Sequence, residues 1–426
     1  MIGAGPTAAL ATALGANTLS PAGAEDHVDG IRAELVVRPR SPEAVRQAVE
    51  VAAAHGLLLV ASGRGRHLDM GAPPARCDLL LRLDLLDRVL EHRAEDLTVT
   101  VEAGCTLADL DRRLAAAGQW LPIDPPSPGE TTVGGAIAAH LAGPLRASQG
   151  TVRDLLLGIE TVSGEGRIVC GGGKVVKNVA GYDLPRLHVG ALGSLGVILS
   201  ATLKTRPRPP VERAIETWCT TPRAACDLAL DIRDAAEPFW LELVSGDGGP
   251  ATAVLAAWAG IAEEAGDGVA RGLRAVARAG RDGREVPDAA GRRAELAGFA
   301  LQPAAAILRV STLPDRTGAA LEAIAAAAHA AGAGVSLAAH AASGIARAAV
   351  FDEGCVPTIL CALRRRDDDP DASHIVERAT PAAKRRLTGE ADPWGDPGAA
   401  AALARGVKHA LDPAGILATG RLAGGL

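Results

Sequence analysis

The sequence predicts an α+β fold in two consecutive parts, and three observations carry that reading. A β-α-β unit spans Leu35 to Ala61. Four glycine-rich segments then interrupt the strand-like runs of the first half, at Ser62–Gly71, Pro125–Gly135, Gly171–Leu187 and Gly190–Ile198. From about Val211 the texture shifts to alanine-rich helix and strand without comparable polar-glycine loops. The 426 residues suffice for two or three domains of ordinary size.

Each element has a local reason. The start, Met1 to about Gly30, holds a G-x-G-x-x-A run with no strand before it and an apolar stretch without a basic flank. It is expected to be a flexible leader rather than a nucleotide fingerprint or a signal peptide. Leu35–Val37 is strand-like. Ser41-Pro42-Glu43 supplies an N-cap, a first-position proline and a first-turn acid, and Ala44, Val45, Ala48, Val49 and Ala52 give the following helix one apolar face. Gly56 ends it, and Leu57–Ala61 is a continuous apolar strand. Leu79–Leu83, Val89–His92 and Leu97–Glu102 read as further strands. Thr106 to Asp109 caps a helix ending near Gly118, Pro122–Pro128 is a rigid loop, and Val133–Ala139 is a short helix entered through Gly134 and Gly135. Leu155–Ser163 and Arg167–Cys170 form a hairpin around Gly164-Glu165-Gly166, and Val197–Lys204 is a strand. Arg206–Pro210 reads as a linker. In the second part, helices are expected at Ala251–Ala265 and Gly318–Ala331, and strands near Phe239–Val244 and Ala306–Ser311. A charged, exposed segment follows over Arg364–Arg386, then a helix over Ala399–Leu411.

Composition excludes several functions. Aromatic residues are only 2%, so the core must be alanine, leucine and valine packing. A net charge of −6 without a basic stripe gives no footprint for nucleic acid. The seven cysteines are odd in number and contain no C-x-x-C pair. They read as reduced thiols of a cytoplasmic protein, with no metal or iron–sulfur site. No run of 18 apolar residues marks a direct membrane span.

The loops suggest an anionic ligand. Glycines in Ser62-Gly63-Arg64-Gly65-Arg66-His67 permit close backbone approach and the positive φ of an anion nest, although the spacing is not that of a Rossmann fingerprint and a plain turn is the alternative. Thr131, Thr132 and the amides entering the next helix offer donors to a phosphate, or simply cap the helix. Arg146 and Arg153 pair either with a phosphate or with Asp154 and Glu160. Lys174 and Lys177 either lie on the surface or place positive charge beside a redox-active ring.

As an ordered set, these segments resemble the FAD-binding domain of the vanillyl-alcohol oxidase / p-cresol methylhydroxylase (PCMH) superfamily. The motifs are Pro125-Pro126 through Thr132-Val133-Gly134-Gly135, Leu141-Ala142-Gly143-Pro144, Gly150-Thr151-Val152-Arg153-Asp154, Val176–Leu184, Gly193–Ile198 and Leu411–Leu417 with Gly420-Arg421. They are most similar to the small FAD-binding subunits of bacterial glycolate oxidase complexes. The resemblance implies a two-lobed α+β, PCMH-type FAD-binding domain over 31–210, a smaller α+β cap domain over 211–375 covering the isoalloxazine, and a segment 376–426 returning to the flavin. It implies non-covalent FAD, with Ser62, Gly63, Arg64, Gly65, Arg66 and His67 and then Pro126, Gly129, Thr131, Thr132, Gly134 and Gly135 around the diphosphate. Gly143, Arg153 and Lys177 would lie nearby, and Gly193, Gly196, Val197 and Ile198 by the adenosine. It also implies oxidation of a small 2-hydroxy acid alongside a sister FAD-binding dehydrogenase subunit and a separate iron–sulfur subunit. The protein would be cytoplasmic, reaching a membrane only through its partners.

Departures from the pattern matter. His140-Leu141 replaces an Asn-Ala or Asn-Cys pair, and the loop Gly63-Arg64-Gly65-Arg66 is unusually basic. The H-x-G-D-G-N-x-H-like metal and substrate site of related D-2-hydroxyacid dehydrogenases is missing. Only Ser245-Gly246-Asp247-Gly248-Gly249 is superficially similar, and His340 and His374 read as isolated. No residue stands out as the base: Tyr182, His188 and Lys177 are the candidates. Substrate oxidation is therefore expected to depend on the sister subunit. A stand-alone FAD dehydrogenase of another hydroxyacid or sugar alcohol, or a non-catalytic assembly subunit, is the alternative.

Overall fold

The computed structural model describes residues 2–174, 182–246, 251–366, 369–388 and 391–426. Its first lobe is built on a sheet ordered Leu19–Pro21, Leu35–Val37, Leu79–Arg82, Leu59–Ser62, the last three strands parallel. Helix Pro42–His55 connects two of them. Ser41 Oγ accepts from Ala44 N at 3.2 Å, and Gly56 ends the helix at φ +62°. Val45, Ala48, Val49 and Ala52 bury the face that the sequence pattern predicts.

The second lobe is an antiparallel sheet ordered Ile168–Gly172, Leu156–Val162, Val197–Lys204, Thr98–Glu102, Val89–Arg93. Helices Leu107–Ala115 and Val133–Ala138 pack into its core. The chain from Val211 onward forms one large antiparallel sheet among the described residues. Its order is Gly283–Val286, Val211–Cys219, Thr252–Gly260, Trp240–Ser245, Val335–His340, Ile345–Val350, Ala306–Ser311, Ser373–Ala379. Helices Pro222–Ala236, Ala262–Arg278, Thr317–Ala330 and Val356–Arg364 contribute to the core on one face, with Leu241, Leu243, Leu308, Val310, Leu337 and Val376 from the strands. No helix among the described residues is long and apolar enough to cross a membrane.

Four expectations need correction. Residues 1–30 are not a flexible leader. Ala4–Leu14 is a helix whose Leu10 is fully buried, and Leu19–Pro21 adds a strand to the first sheet. The Ala251–Ala265 stretch is not one helix: Thr252–Gly260 is a strand, and the helix starts at Ala262. Its alanines favour helix locally, but the run lies between two long strands with Thr252 through Trp258 buried, and that packing decides. Arg364–Arg386 is not simply exposed, because Ser373–Ala379 is an edge strand with Ile375 and Val376 buried. The cap sheet thus runs to Ala379 rather than stopping at 375. Finally, Arg206–Pro207 is no free linker but pairs with Gln119–Trp120.

The leader is tied down by charge as well. Lys384 and Asp29 form a buried ion pair, and Lys384 Nζ also donates to Asp69 O at 2.6 Å. Removing one partner strands the other charge in the interior. Asp29→Ala is therefore expected to cost about 3–5 kcal/mol in urea unfolding, with most of it recovered in the double variant Asp29→Ala, Lys384→Met. Equal stability of single variant and parent would show that the pair carries no weight.

Candidate functional site

Three of the four glycine-rich loops of the first half meet. Ser62 to Leu68 leaves the end of strand Leu59–Ser62. It faces Thr132, Gly134 and Gly135 on one side and Leu192, Gly193, Gly196 and Ile198 on another, around one open cleft. A Cβ on Gly63 would overlap the Thr132 side chain, and one on Gly134 would lie 2.8 Å from Ala103 Cβ. The loops thus touch at positions where only glycine fits. Gly65 and Gly193 hold φ of +81° and +78°. Thr132 Oγ1 accepts from Gly135 N at 3.1 Å, fixing the turn into the short helix. The C-terminal segment returns beside the same strand: Leu59 N donates to Ile416 O at 2.8 Å, and Arg421 donates to the carbonyls of Leu68 and Met70. A cradle lined by glycine backbone, arginine and threonine, into which a Cβ would intrude, suits a long anionic nucleotide.

Thr131 lies fully buried below the cleft. Its hydroxyl donates to Pro126 O at 2.9 Å, so it accepts from His67 Nε2, also at 2.9 Å. That assigns the Nε2–H tautomer to His67. Burial and the nearby Arg378 charge keep the ring neutral, its pKa pushed down to about 4.

Other expected residues fall elsewhere. Pro126 and Gly143 line an adjoining cavity instead. Gly143 is there because Asp124 packs against its Cα, leaving no room for a side chain. Gly129 and Arg153 are exposed outside the cleft, and Val197 is buried in the core beneath it. Lys177 lies outside the described residues. Lys174 forms a surface ion pair with Glu91. Among the base candidates, Tyr182 is 90% exposed, and His188 is buried against Gly196 with its pKa pushed down to about 4 by desolvation.

The adjoining cavity is small and shares His67 with the cleft. Met70, Leu141 and Gly143 of the first part form one wall, and His340, Arg347, Glu377 and Arg378 of the cap sheet form the other. The cap residues belong to a row of ionisable side chains that sequence reasoning missed. Glu242 stands opposite His340 in the ladder, Arg347 opposite Ala338, and Arg309 opposite Arg347. With Glu377 these charges occupy the face away from the helices, one on each of five adjacent strands. His340 Nδ1 lies 2.7 and 2.9 Å from the two Glu242 oxygens, and Arg347 Nη1 lies 2.6 Å from His340 Nε2. Arg347 Nε donates to Glu377 Oε2 at 2.6 Å. His340 is therefore not isolated. It is also separated from Arg347 by the spacing of the two histidines in the H-x-G-D-G-N-x-H motif, with Gly344 at the second glycine and arginine at the second histidine.

Electrostatics set the charge states. Burial drives the His340 pKa well below its ordinary value, and Arg347 and Arg146 push the same way. Burial and then the Asp124 charge raise Glu242 well above the usual carboxylate range. Burial would raise Glu377 too, but Arg347, Arg309 and Arg146 outweigh it and hold that carboxyl at about 2. A depressed carboxylate stabilises the fold fully above its ordinary 4.5, and the contribution is lost as pH falls through about 2. Glu377→Gln is therefore expected to flatten the acid limb of stability between pH 4.5 and 2, read by circular dichroism. An unchanged limb would contradict the pairing. Arg309 keeps a buried Nε without a hydrogen-bond partner. Arg146 reaches the same neighbourhood from the helix Arg146–Gln149, where burial and the Arg347 and Arg309 charges push it down to about 10.

Residues 33–171 match the family described as FAD binding domain. The chain is 33% identical over 199 residues to glycolate oxidase subunit GlcD of Bacillus subtilis, covering 47% of this chain and 42% of that protein. It is 39% identical over 142 residues to glycolate oxidase subunit GlcE of Escherichia coli, covering 33% and 41%. The chain thus aligns with less than half the length of these curated relatives. The solved structure of p-cresol methylhydroxylase with substrate bound superposes with a TM-score of 0.76 at 16% identity, covering 98% of this chain and 96% of that one, which establishes the shared fold. The chain carries an FAD-binding domain of that architecture.

Proposed function

We propose that the chain, which carries an FAD-binding domain and shares the fold of p-cresol methylhydroxylase, is the FAD-binding subunit of a glycolate-oxidase-type 2-hydroxyacid dehydrogenase. Bound in the cleft, FAD supplies two-electron oxidation. Ser62 to His67 and Thr132 to Gly135 hold its diphosphate through main-chain amides, and Gly193 to Ile198 flank the adenosine. Gly129, Arg153 and Val197 lie outside the cleft, and Lys177, outside the described residues, is assigned to it by family resemblance alone.

One observation carries the substrate class: a surplus of buried positive charge beside the second cavity. Arg347 is matched by Glu377, but Arg309 has a buried Nε without a partner and Arg146 is crowded by two other cations. Such a site is completed by a carboxylate. Charges built into the cap sheet also alter the expected division of labour. The chain takes the acid into its own cavity, while a sister FAD-binding subunit and an iron–sulfur subunit complete the complex and carry electrons away.

A stand-alone dehydrogenase is the second reading, favoured by the same self-contained cavity. The test is anaerobic mixing of the FAD-loaded chain with glycolate, D-lactate or a sugar alcohol. Bleaching of the flavin by a 2-hydroxy acid, with fast reoxidation only when the iron–sulfur partner is added, supports the subunit reading. Fast turnover with an artificial acceptor and no partner supports the stand-alone enzyme. No bleaching by any 2-hydroxy acid refutes the substrate class.

A further inference from the structure

We infer that the His340–Arg347 pair recognises the α-hydroxycarboxylate unit without a metal ion, His340 Nε2 accepting the hydroxyl proton and Arg347 Nη1 donating to the carboxylate. This deepens the 2-hydroxy acid oxidation proposed above and rests on it.

Tautomer and direction follow from the contacts. Guanidinium is donor only, so His340 Nε2 accepts from Arg347 Nη1 across 2.6 Å and the ring proton sits on Nδ1, facing Glu242. Both residues line the second cavity. The pair therefore presents an acceptor and a donor side by side at one wall. An α-hydroxy acid carries a donor hydroxyl and an acceptor carboxylate oxygen on adjacent carbons, about 2.7–2.9 Å apart, the separation of hydrogen-bonded heavy atoms. Inserted between Nε2 and Nη1, it replaces one direct contact with two complementary ones. A hydroxyl one carbon further out does not match this spacing.

Both members are held from behind. Glu242 fixes the imidazole through Nδ1, and Glu377 fixes the guanidinium through Nε and Nη2. On oxidation the O–H proton passes to Nε2, and the C–H hydrogen leaves with its electron pair to a two-electron acceptor, which the flavin supplies when bound. A 2-oxo acid remains, and the imidazolium keeps its Nδ1 contact with Glu242.

The same geometry does not fit a metal. The second histidine of the H-x-G-D-G-N-x-H spacing is Arg347, whose guanidinium is donor only and has no lone pair to ligate one. Among the described residues no three His, Cys, Asp or Glu side chains converge as a metal would require. Arg347 supplies the fixed positive charge instead.

The test uses inert acids on the FAD-loaded chain, followed by calorimetry and by perturbation of the visible flavin spectrum. 2-Hydroxy-2-methylpropanoate keeps the hydroxyl and carboxylate but has no C–H to oxidise. Isobutyrate lacks the hydroxyl, and 3-hydroxy-3-methylbutanoate displaces it by one carbon. The 2-hydroxy acid is expected to bind at least about tenfold more tightly than either, with or without EDTA. His340→Gln should abolish that preference while leaving FAD content and isobutyrate affinity in place, and Arg347→Lys should weaken all three acids. Equal binding of the three by the wild type, a His340→Gln protein that keeps the preference, or binding lost to EDTA and restored by zinc would each overturn the inference. The wild-type and EDTA measurements need no variant to fold. Bleaching by glycolate, measured alongside, separates the two claims. Bleaching without preference among the inert acids sinks this inference alone, whereas no bleaching by any 2-hydroxy acid sinks the function it rests on.

Discussion

Gly135→Leu is expected to yield a folded protein that no longer retains FAD. Gly135 lines the cleft, and a Cβ there meets only Thr132 Oγ1, at 3.1 Å. The remaining leucine atoms must extend into the space the nucleotide would occupy. Filling it sets overpacking of about 1–3 kcal/mol against binding and blocks amide contacts worth about 1 kcal/mol each. A fall in FAD affinity of about 100-fold or more follows, since each 1.4 kcal/mol or so is tenfold. Gly134 gives the contrasting control. Its Cβ would press on Ala103 Cβ at 2.8 Å, so Gly134→Val is expected to lower thermal stability together with flavin content. Fluorescence titration with FAD and a thermal melt of each variant separate the two effects. A Gly135→Leu protein that binds FAD as the parent does would remove the cleft from the account.

Arg309→Leu is expected to weaken binding of a small carboxylic acid by about 10- to 100-fold while raising stability, an unusual pair of signs. Hydrogen bonds to charged groups contribute about 1.5–3 kcal/mol, which sets the loss in affinity. The gain has a separate origin. The guanidinium is surrounded by strands, its Nε has no partner, and burial pushes its pKa down. Replacing a buried, poorly matched cation with an apolar side chain relieves that desolvation cost. Calorimetry with isobutyrate and a melt without ligand read the two quantities independently. Unchanged acid affinity would mean that Arg309 serves packing, and a lowered melting point would mean that Glu377 depends on it more than on Arg347.

Much of the first half is legible because its signals are local. Ser41, Pro42 and Gly56 fix one helix, Gly164 to Gly166 turns one hairpin, and Gly63, Gly134 and Gly193 mark where loops approach one another. Each requires only neighbours in sequence and the steric uniqueness of glycine. Where tertiary context decides, the sequence misleads. Alanines in Thr252–Gly260 read as helix until two flanking strands are known, and the start of the chain reads as a leader until Lys384 is seen to pair with Asp29. The charged row is harder still, because its members span Glu242 to Glu377 and meet only through strand order. A signal was nonetheless present. Leu241-Glu242-Leu243, Ala339-His340, Ala346-Arg347-Ala348 and Leu308-Arg309-Val310 each place one ionisable residue in an apolar run. Such a residue must lie on a face that has polar partners, and several strands doing so at once point to a site.

The central claim is that three separated loops, at Ser62–Leu68, Glu130–Gly135 and Leu192–Ile198, converge on one flavin nucleotide. Equilibrium titration of the purified, flavin-stripped chain with FAD, followed by acid precipitation, addresses it directly. Uptake of one FAD per chain, with a flavin absorption spectrum and full release of the colour into the acid supernatant, is the predicted result. A colourless chain that takes up no FAD at any concentration would contradict it.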